Sequence, residues 1–428
     1  MVCLRVNLLT KLGVLVLFQV AALIIYNSQD IDPEPSVHLA GDTVDYSAEY
    51  RIIQFYKHQG IPQDYTYHDV SIATQCSVNH LHHLVELAER WKGPISCTVF
   101  APNLDASYAD DAIDILRKCF SDIRKYVDFH LVYPAQHPAD VSKVGVWQDL
   151  SCSALLDKLQ NYGYQNYVVG NIPFPHNILR NVARKGVITE FVLLIDIDTM
   201  PNLELRQEFN NFAYRHSLFG LLTEQTVFVV AAFEIKKGIK MPSNKTELLS
   251  GIRTGTVRTF HNETCWWCHR SENFDLWRKI PQVSNLEVAF YADWDKSWEP
   301  FYISHRNVPL FDERFKQYGF DRIQQICELH IAGYKFAVLN NAFVVHHGWK
   351  FRGNFYANKD KDNAQNWILF NYHFKDDLQK KYNTNRTCSP VELWIPPGKR
   401  RSAPQPISHG RGVVASRFKP NILKEGAR

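Results

Sequence analysis

The sequence lacks the short motifs by which several large enzyme classes are recognised. It contains no Walker loop, no G-x-G-x-x-G, no G-x-S-x-G nucleophile elbow and no H-E-x-x-H, and it has no internal repeat. These absences argue against ATPases, dinucleotide-dependent oxidoreductases, α/β-hydrolases and zincins. With 428 residues, 45% of them hydrophobic, the chain can still build a large globular core.

The chain also has little net charge, and its basic excess lies at one end. The formal charge is +4, but residues 396–428 carry eight basic side chains against one acidic side chain, which leaves 40 basic and 43 acidic residues in the remainder. This acidic balance of the body argues against nucleic-acid binding. The Pro/Gly-rich composition of 396–428 predicts a basic, disordered tail.

One long apolar run, residues 12–26, is interrupted only by Gln19. Basic residues precede this run and acidic residues follow it, which predicts a type II signal anchor with a cytoplasmic tail over 1–11 and a luminal body. The bulky end of the run favours an uncleaved anchor over a cleaved signal peptide. Residues 27–66 are polar and contain three prolines, which is typical of a stem, and we predict a helix within it around 46–56.

The cysteine pattern agrees with a luminal body. Eight of the nine cysteines follow the apolar run, an even number that suits an oxidising compartment. Cys265 and Cys268 form a lone C-x-x-C, for which a small disulfide loop or two separate disulfides are favoured over zinc. Three N-glycosylation sequons lie on the same side of the predicted membrane, at Asn244, Asn262 and Asn385.

The predicted catalytic domain, residues 67–395, begins with alternating strand and helix patterns. Apolar strand patterns cover 69–75, 95–100 and 129–133, and helical patterns cover 81–91 and 109–120. This alternation predicts an α/β domain with a parallel sheet and helices on both faces.

Two aspartates follow the strand that we expect at the centre of this sheet. Five apolar residues, 191–195, precede Asp196 and Asp198, and ligands gather at the carboxyl ends of such strands. The pair is suited to a hard cation that binds a nucleotide diphosphate. A strand that ends in a polar turn is the alternative interpretation, because Asp-x-Asp is common by chance.

Basic and histidine residues near this strand are further candidates. Arg180 and Arg184 share one face of the helix that leads into it; they form either a solvated basic face or a contact to a diphosphate or a sugar carboxylate. A later strand, 336–345, ends in His346 and His347. His346 could complete a metal site by folding back to the aspartates, although a single histidine is more often structural.

Taken together, these features resemble the GT-A glycosyltransferases, whose Rossmann-like mixed sheet is flanked by helices. More narrowly, the chain is similar to glycosyltransferase family 49, the β-1,4-glucuronyltransferases of O-mannosyl glycan synthesis on α-dystroglycan. The similarity covers about residues 67–390. It rests on the segments Ala231-Ala-Phe-Glu-Ile235, Met241-Pro-x-Asn-Lys-x-Glu-Leu248, Trp298-Glu-Pro-Phe-Tyr302, Val308-Pro-x-Phe-Asp-Glu-Arg-Phe315, Cys327-Glu-Leu-His330 and Val345-His346-x-Gly348.

This resemblance implies inverting transfer of glucuronate from UDP-glucuronate to a xylose-terminated O-glycan on a glycoprotein, with formation of a β1,4 linkage. It implies Asp196, Asp198 and His346 as ligands of a divalent cation, and an imidazole ligand favours Mn²⁺ over Mg²⁺. It also implies a Golgi membrane enzyme with a luminal catalytic domain, compatible with association with other Golgi glycosyltransferases.

Inversion requires one protein group to take the proton of the attacking acceptor hydroxyl. Asp321, Asp312 and Glu299 match acidic positions of the family motifs, and the sequence ranks them nearly equal as this base. It does not decide among them.

Donor contacts are expected from two places in the sequence. Thr74 and Gln75, at the end of the first strand, are placed to touch the uracil or the ribose. A cation must also face the glucuronate carboxylate, because an unpaired buried carboxylate is costly. The candidates for that cation are Arg180, Arg184 and Lys350.

Two other functions remain open at this point. The first is a UDP-N-acetylglucosamine-dependent transferase of the same fold. The second is a catalytically inactive protein that binds glycans or acts as a chaperone for another transferase. The intact aspartate pair, His346 and the acidic candidates argue against the inactive protein, because such a protein has no need of them.

Overall fold

The computed structural model describes residues 42–58, 66–142, 145–162, 172–220, 225–265, 267–270, 273–351 and 359–388. The predicted cytoplasmic tail, the signal anchor, the first part of the stem and the basic C-terminal tail lie outside these residues. Within the described ranges, no helix combines the length and the apolar character that a membrane crossing requires.

A single mixed sheet runs through the described part of the chain. Its strands are β1 (Thr43–Val44), β2 (Tyr50–Lys57), β3 (Val70–Ser77), β4 (Ile95–Phe100), β5 (Val127–Pro134), β6 (Phe191–Leu194), β7 (Thr199–Pro201), β8 (Thr226–Ile235), β9 (Val257–Thr259), β10 (Val288–Ala292), β11 (Phe301–His305) and β12 (Lys335–His347). They are ordered β1-β2-β5-β4-β3-β6-β11-β8-β12-β10, with β7 paired to β12 and β9 to β8.

The sheet is parallel in one half and mixed in the other. Strands β5, β4, β3 and β6 are parallel neighbours, as the strand–helix alternation predicts. Strand β11 then lies antiparallel between β6 and β8, and β8 is parallel to β12. Strands β4 and β5 are buried along their whole length, which is expected where helices cover both faces of a parallel sheet.

The helices predicted over 81–91 and 109–120, and the helix that leads into β6, are confirmed with small differences at their ends. The helices are α1 (His83–Trp91), α2 (Asp105–Cys119), α3 (Ser121–Tyr126), α4 (Cys152–Gln160), α5 (His176–Lys185), α6 (Leu205–Arg215), α7 (Lys245–Arg253), α8 (Phe274–Lys279), α9 (Ile323–Ile331), α10 (Lys359–Leu369) and α11 (Lys375–Tyr382). In α1, Leu84, Leu87, Ala88 and Trp91 are buried on one face, which confirms the apolar periodicity of this segment.

The helix predicted around 46–56 is wrong. Residues of this segment form β2, which pairs antiparallel with β5 through the Ile52–Val132 and Ile53–Leu131 partners. Its isoleucines and aromatic residues favour a strand, and Tyr50 and Ile53 are buried in the core. Part of the predicted stem therefore belongs to the sheet, and the folded body begins before residue 67.

One strand pairing brings distant parts of the chain together. The short strand β7 follows the Asp196–Asp198 turn and pairs antiparallel with β12, with Thr199 opposite His346. Strand β12 extends to His347, so His346 lies within the strand and not after it. This pairing positions the candidate site.

Among the described residues, six cysteines form three disulfides: Cys119–Cys152, Cys265–Cys268 and Cys327–Cys388. The Cys265–Cys268 pair forms the small loop that its spacing predicts. Cys76 and Cys97 are buried and unpaired on the neighbouring strands β3 and β4, with their Sγ atoms 4.0 Å apart.

Candidate active site

The two aspartates of the Asp-x-Asp motif point to different partners. Both lie in the turn between β6 and β7, at the carboxyl end of β6 as predicted. Asp198 Oδ2 lies 2.9 Å from His346 Nε2 and 3.8 Å from Lys350 Nζ. Asp196 Oδ1 accepts hydrogen bonds from Arg322 at 2.7 Å and from Gln75 at 3.2 Å. The site therefore has a histidine side and an arginine side.

The His346 ring lies between two oxygen acceptors. Its Nδ1 lies 2.8 Å from the Gly348 carbonyl, which can only accept, so Nδ1 carries a proton. Gly348 adopts a φ of +79°, which glycine allows without strain. Nε2 donates to Asp198 when the ring is protonated, and in the neutral ring it has a lone pair that faces the same carboxylate. Either a proton or a metal ion therefore satisfies this contact.

This donor set fits a divalent metal ion. A histidine ligand usually donates its second N–H to a carbonyl, as His346 does, and a carboxylate with an imidazole suits Mn²⁺. Burial alone would raise the pKa of Asp198, but the charges of His346 and Lys350 outweigh it and hold that pKa well below its usual value. Asp198 is therefore an anion at neutral pH. The neighbouring His347 bonds to Glu86 instead, at 2.7 Å.

Asp196 is held by two buried guanidinium groups. Besides the Arg322 bond, Arg180 lies 3.9 Å away. Burial acts to raise the pKa of Asp196, but these two cations lower it overall. Across the described ranges, no three His, Cys, Asp or Glu side chains are gathered tightly enough to form a metal cluster. To become a third ligand beside Asp198 and His346, Asp196 would have to exchange its contact with an arginine for a contact with the ion.

Arg180 and Arg184 share a helix face, as predicted, but they have different partners. Arg180 donates to Asp321 Oδ2 at 2.7 Å and to Asn177 Oδ1 at 2.9 Å. Arg184 donates to the carbonyls of Val308 and Pro309, each at 2.8 Å. The structure thus gives Arg184 a structural role in place of the predicted donor contact.

A polar stripe on α5 explains this difference. The stripe consists of buried polar residues spaced so that they share one face of the helix: Asn177, Arg180, Asn181 and Arg184. Asn177 and Asn181 bond the backbone of Asp312 and Phe311, just beyond the carbonyls that Arg184 holds. The stripe therefore docks the segment 306–312 against the helix, and only Arg180 reaches the acidic site.

Replacing Arg184 with Met should lower the free energy of unfolding by about 3 kcal/mol, because buried carbonyls lose charged donors. Urea unfolding measures this, and Arg215→Met is a matched control, since the Arg215 side chain is 37% exposed. The donor KM should stay within about twofold of wild type. A large rise in donor KM at unchanged stability would instead support a donor role for Arg184.

The three candidate bases differ in their surroundings. Asp312 accepts bonds from Arg314 Nε and from the terminal guanidinium nitrogen at 2.9 and 2.6 Å. Burial raises the pKa of Asp321, but Arg180 and His176 outweigh it, so the net shift is downward. Both carboxylates are thus paired with cations, and the lowered pKa makes Asp321 a weak proton acceptor.

Glu299 is the exception among the three. Burial raises the pKa of Glu299 to about 8, the Asp321 charge adds to the rise, and Arg322 and Arg180 oppose it. Its side chain remains 19% exposed, so a substrate can reach it. A carboxylate with a pKa near neutrality is well matched to general base catalysis.

Lys350 is held at the rim of the site by a buried network. Glu234, fully buried on β8 opposite His346, accepts from the Lys350 backbone N–H at 3.1 Å and pairs with Arg258. Arg258 also lies over the ring of Trp349, 4.3 Å from its centroid. The Lys350 side chain is 33% exposed, which leaves it accessible to a ligand.

The remaining predicted residues lie in varied surroundings. Thr74 is buried, and its hydroxyl has no hydrogen-bond partner among the described residues. Asn262 and Asn385 are exposed, whereas Asn244 caps α7, with its side chain accepting the Glu247 N–H at 3.0 Å.

Sequence reasoning missed Arg322 and His269. Arg322 binds Asp196 and lies over the Phe301 ring at 4.5 Å. Its position directly after Asp321 was the available signal. His269 follows the Cys265–Cys268 loop and lies 3.9 Å from Glu299, and no spacing in the sequence links these two residues.

Comparison with known proteins gives a consistent result. Residues 69–383 match the family described as glycosyl-transferase for dystroglycan. Beta-1,4-glucuronyltransferase 1 of Danio rerio is 40% identical over 366 residues, which cover 81% of this chain and 84% of the relative. The xylosyl- and glucuronyltransferase LARGE1 of Homo sapiens is 26% identical, over 73% of this chain and 36% of that protein.

Among solved structures, the chain is similar to S. aureus TarS 1-349 in complex with UDP. The sequence identity is 12%, the match covers 73% of this chain and 75% of that one, and the TM-score is 0.33. At that TM-score the likeness is too slight for a comparison of sites.

Proposed function

The chain belongs to the glycosyltransferase family described for dystroglycan, and we propose that it transfers glucuronate from UDP-glucuronate to a xylose-terminated O-glycan. Transfer inverts the anomeric centre and forms a β1,4 linkage. The observation that carries this proposal is the contact of Asp198 with His346 Nε2, beside the accessible Lys350. The names of the relatives support glucuronate as the sugar that is transferred.

In this proposal the domain has a GT-A fold and is carried by a type II anchor over 12–26, with the catalytic domain in the Golgi lumen. The acceptor is a glycan on a glycoprotein. The metal is Mn²⁺, held by Asp198 and His346, with Asp196 as the third ligand. When bound, this ion offsets negative charge that develops on the leaving diphosphate.

The chain's own residues supply the remaining chemistry. Glu299 takes the proton from the acceptor hydroxyl as that oxygen attacks the anomeric carbon, and a single displacement accounts for inversion. Arg180 holds Asp321, and Asp196 would be a ligand of the ion, so neither of these carboxylates competes for the acceptor proton. The high pKa of Glu299 makes it a stronger base than either neighbour.

Lys350 is assigned to the carboxylate of the donor sugar. It is accessible, lies 3.8 Å from Asp198 and is not enclosed by backbone acceptors as Arg184 is. A neutral sugar would leave the lysine without its partner. This makes Lys350 the residue that discriminates glucuronate from a neutral hexose.

Replacing Lys350 with Met should raise the KM for UDP-glucuronate by about 10- to 100-fold, because a charge-assisted hydrogen bond is lost. The inhibition constant of UDP should change by less than about threefold, since UDP lacks the sugar carboxylate. Lys240→Met, at an exposed lysine, is the control. Equal weakening of UDP and UDP-glucuronate would place Lys350 at the diphosphate instead.

A donor comparison tests the proposed function. The luminal body, residues 28–428, is assayed for UDP release with Mn²⁺, a β-xyloside and either UDP-glucuronate or UDP-N-acetylglucosamine. We expect release from UDP-glucuronate and a product with a β1,4 linkage by NMR. Faster turnover with UDP-N-acetylglucosamine would favour the alternative transferase, and no release from either donor would favour an inactive protein.

A further inference from the structure

His269 is a buried imidazole whose two ring nitrogens have no hydrogen-bond partner among the described residues. Its side chain is 1% exposed. Burying a polar ring without hydrogen bonds is unfavourable, and buried polar atoms in folded proteins are nearly always paired. This exception lies directly beside the candidate active site.

The side chain of Glu299 lies close to the ring. His269 Nε2 lies 3.9 Å from Glu299 Oε2. The backbone fixes this proximity, because the Glu299 N–H donates to the carbonyl of Cys268, the residue before His269, at 2.6 Å. The Cys265–Cys268 disulfide closes the preceding loop. The two side chains are therefore held next to each other without bonding.

The remaining surroundings of His269 are aromatic. Its ring stacks on Phe301 at 5.8 Å and lies 4.7 Å from the Phe260 centroid. Burial holds the pKa of His269 well below its usual value. The His261 and Arg322 charges act in the same direction, and a contact with the Glu299 backbone opposes them. The ring is therefore neutral, and one of its nitrogens carries a proton that it can donate.

A small cavity lies beside the ring, and Glu299 is not among the residues that line it. The cavity is about 10 Å³ and is lined by His269, Trp277, Trp298 and Phe301, among others. A movement of about 1 Å would bring Nε2 within hydrogen-bond distance of Glu299, and catalytic hydrogen bonds often tighten only when substrate is bound.

We propose that His269 is a positioning residue for the catalytic base: its Nε2–H donates to the Glu299 carboxylate when the acceptor is bound. The bond orients the carboxylate and stabilises its ionised form. The acceptor proton moves to Glu299 and not to His269, whose ring stays neutral throughout. This inference rests on the proposed role of Glu299.

Other charged groups also face this pair and stay in place when His269 is changed. Glu299 faces Asp321, Arg322, Arg180 and Asp196. His269 faces His261, Arg322 and Lys350. A shift of the pH profile in a His269 variant therefore reports the loss of the His269 bond.

The test compares His269→Phe, His269→Gln and His269→Asn by pH profiles of kcat at saturating donor and acceptor, which report the pKa of the base in the substrate complex. Thermal unfolding and Mn²⁺-dependent UDP binding are the checks of folding. In His269→Phe we expect the midpoint of the profile to rise by about one pH unit and kcat to fall by about 10- to 100-fold, with donor KM unchanged. His269→Gln places an amide N–H near the Nε2 position and should recover most of kcat. His269→Asn, whose amide lies nearer the Nδ1 position, should not.

Several results would overturn the inference. They are an unshifted midpoint in His269→Phe, or equal activities in the Gln and Asn variants. If His269→Phe does not fold, the Gln and Asn pair still decides. Glu299→Gln separates this inference from the base assignment. If Glu299→Gln is active, Glu299 is not the base. If Glu299→Gln is inactive and the His269→Phe profile is unshifted, only the role of His269 is refuted.

Discussion

Replacing Asp198 with Asn should reduce turnover by about 10³-fold or more. The site then loses the carboxylate that, together with His346, would hold the cation. The change is nearly isosteric, so the sheet pairing of β7 and β12 should persist. Turnover is measured as UDP release at saturating donor. Asp295→Asn, at an exposed aspartate, is a matched control and should behave as wild type.

The expected loss in Asp198→Asn must be separated from a loss of stability. The pKa of Asp198 is well below its usual value, so its ionised form stabilises the fold above the unfolded-state pKa, and this stabilisation disappears as the pH falls through the folded-state pKa. Thermal unfolding of Asp198→Asn at neutral pH should therefore show a modest decrease. A folded variant with more than a tenth of wild-type turnover would contradict the site.

Replacing Glu299 with Gln should lower kcat by about 10²- to 10⁴-fold, because no group then takes the acceptor proton. Donor KM and Mn²⁺-dependent UDP binding should remain close to wild type, since Glu299 acts on the acceptor. Asp312→Asn and Asp321→Asn are the informative comparisons, as these were the equal candidates in the sequence. A larger loss of kcat in either of them would move the base to that residue.

The pH dependence of the wild-type enzyme provides a second check on Glu299. A base must be ionised, and burial raises the pKa of Glu299 to about 8, so kcat/KM should fall about tenfold per unit as the pH decreases below that value. Above it, kcat/KM should level off. The Glu299→Gln variant should lose this dependence, and a wild-type profile that is flat between pH 6 and 9 would contradict the assignment.

Much of the fold follows from local sequence patterns. The buried runs that became β3, β4 and β6 and the apolar face of α1 are correctly predicted, because burial on both faces of a strand or on one face of a helix leaves a direct periodic signal. The motifs also indicate the family, which the comparisons confirm. The helix predicted around 46–56 is wrong because the buried residues of this segment, Tyr50 and Ile53, are three residues apart, a spacing that is also typical of a helix.

The site itself depends on tertiary contacts that spacing does not encode. Asp198 and His346 meet because β7 pairs with β12 across 148 residues. Arg180 and Arg184 are four residues apart on one face of α5. Arg180 nevertheless binds the Asp321 carboxylate, whereas Arg184 binds backbone carbonyls, because different segments pack against the two turns of the helix. Likewise, the high pKa of Glu299 arises from burial.

The most direct test of the metal site is a crystal of the catalytic domain soaked with Mn²⁺ and UDP. We expect an anomalous peak within bonding distance of the Asp198 carboxylate and His346 Nε2, with Nδ1 still donating to the Gly348 carbonyl and the diphosphate completing the coordination. An ion bound elsewhere, or a pocket in which His346 still contacts Asp198 directly at full occupancy of UDP, would contradict it.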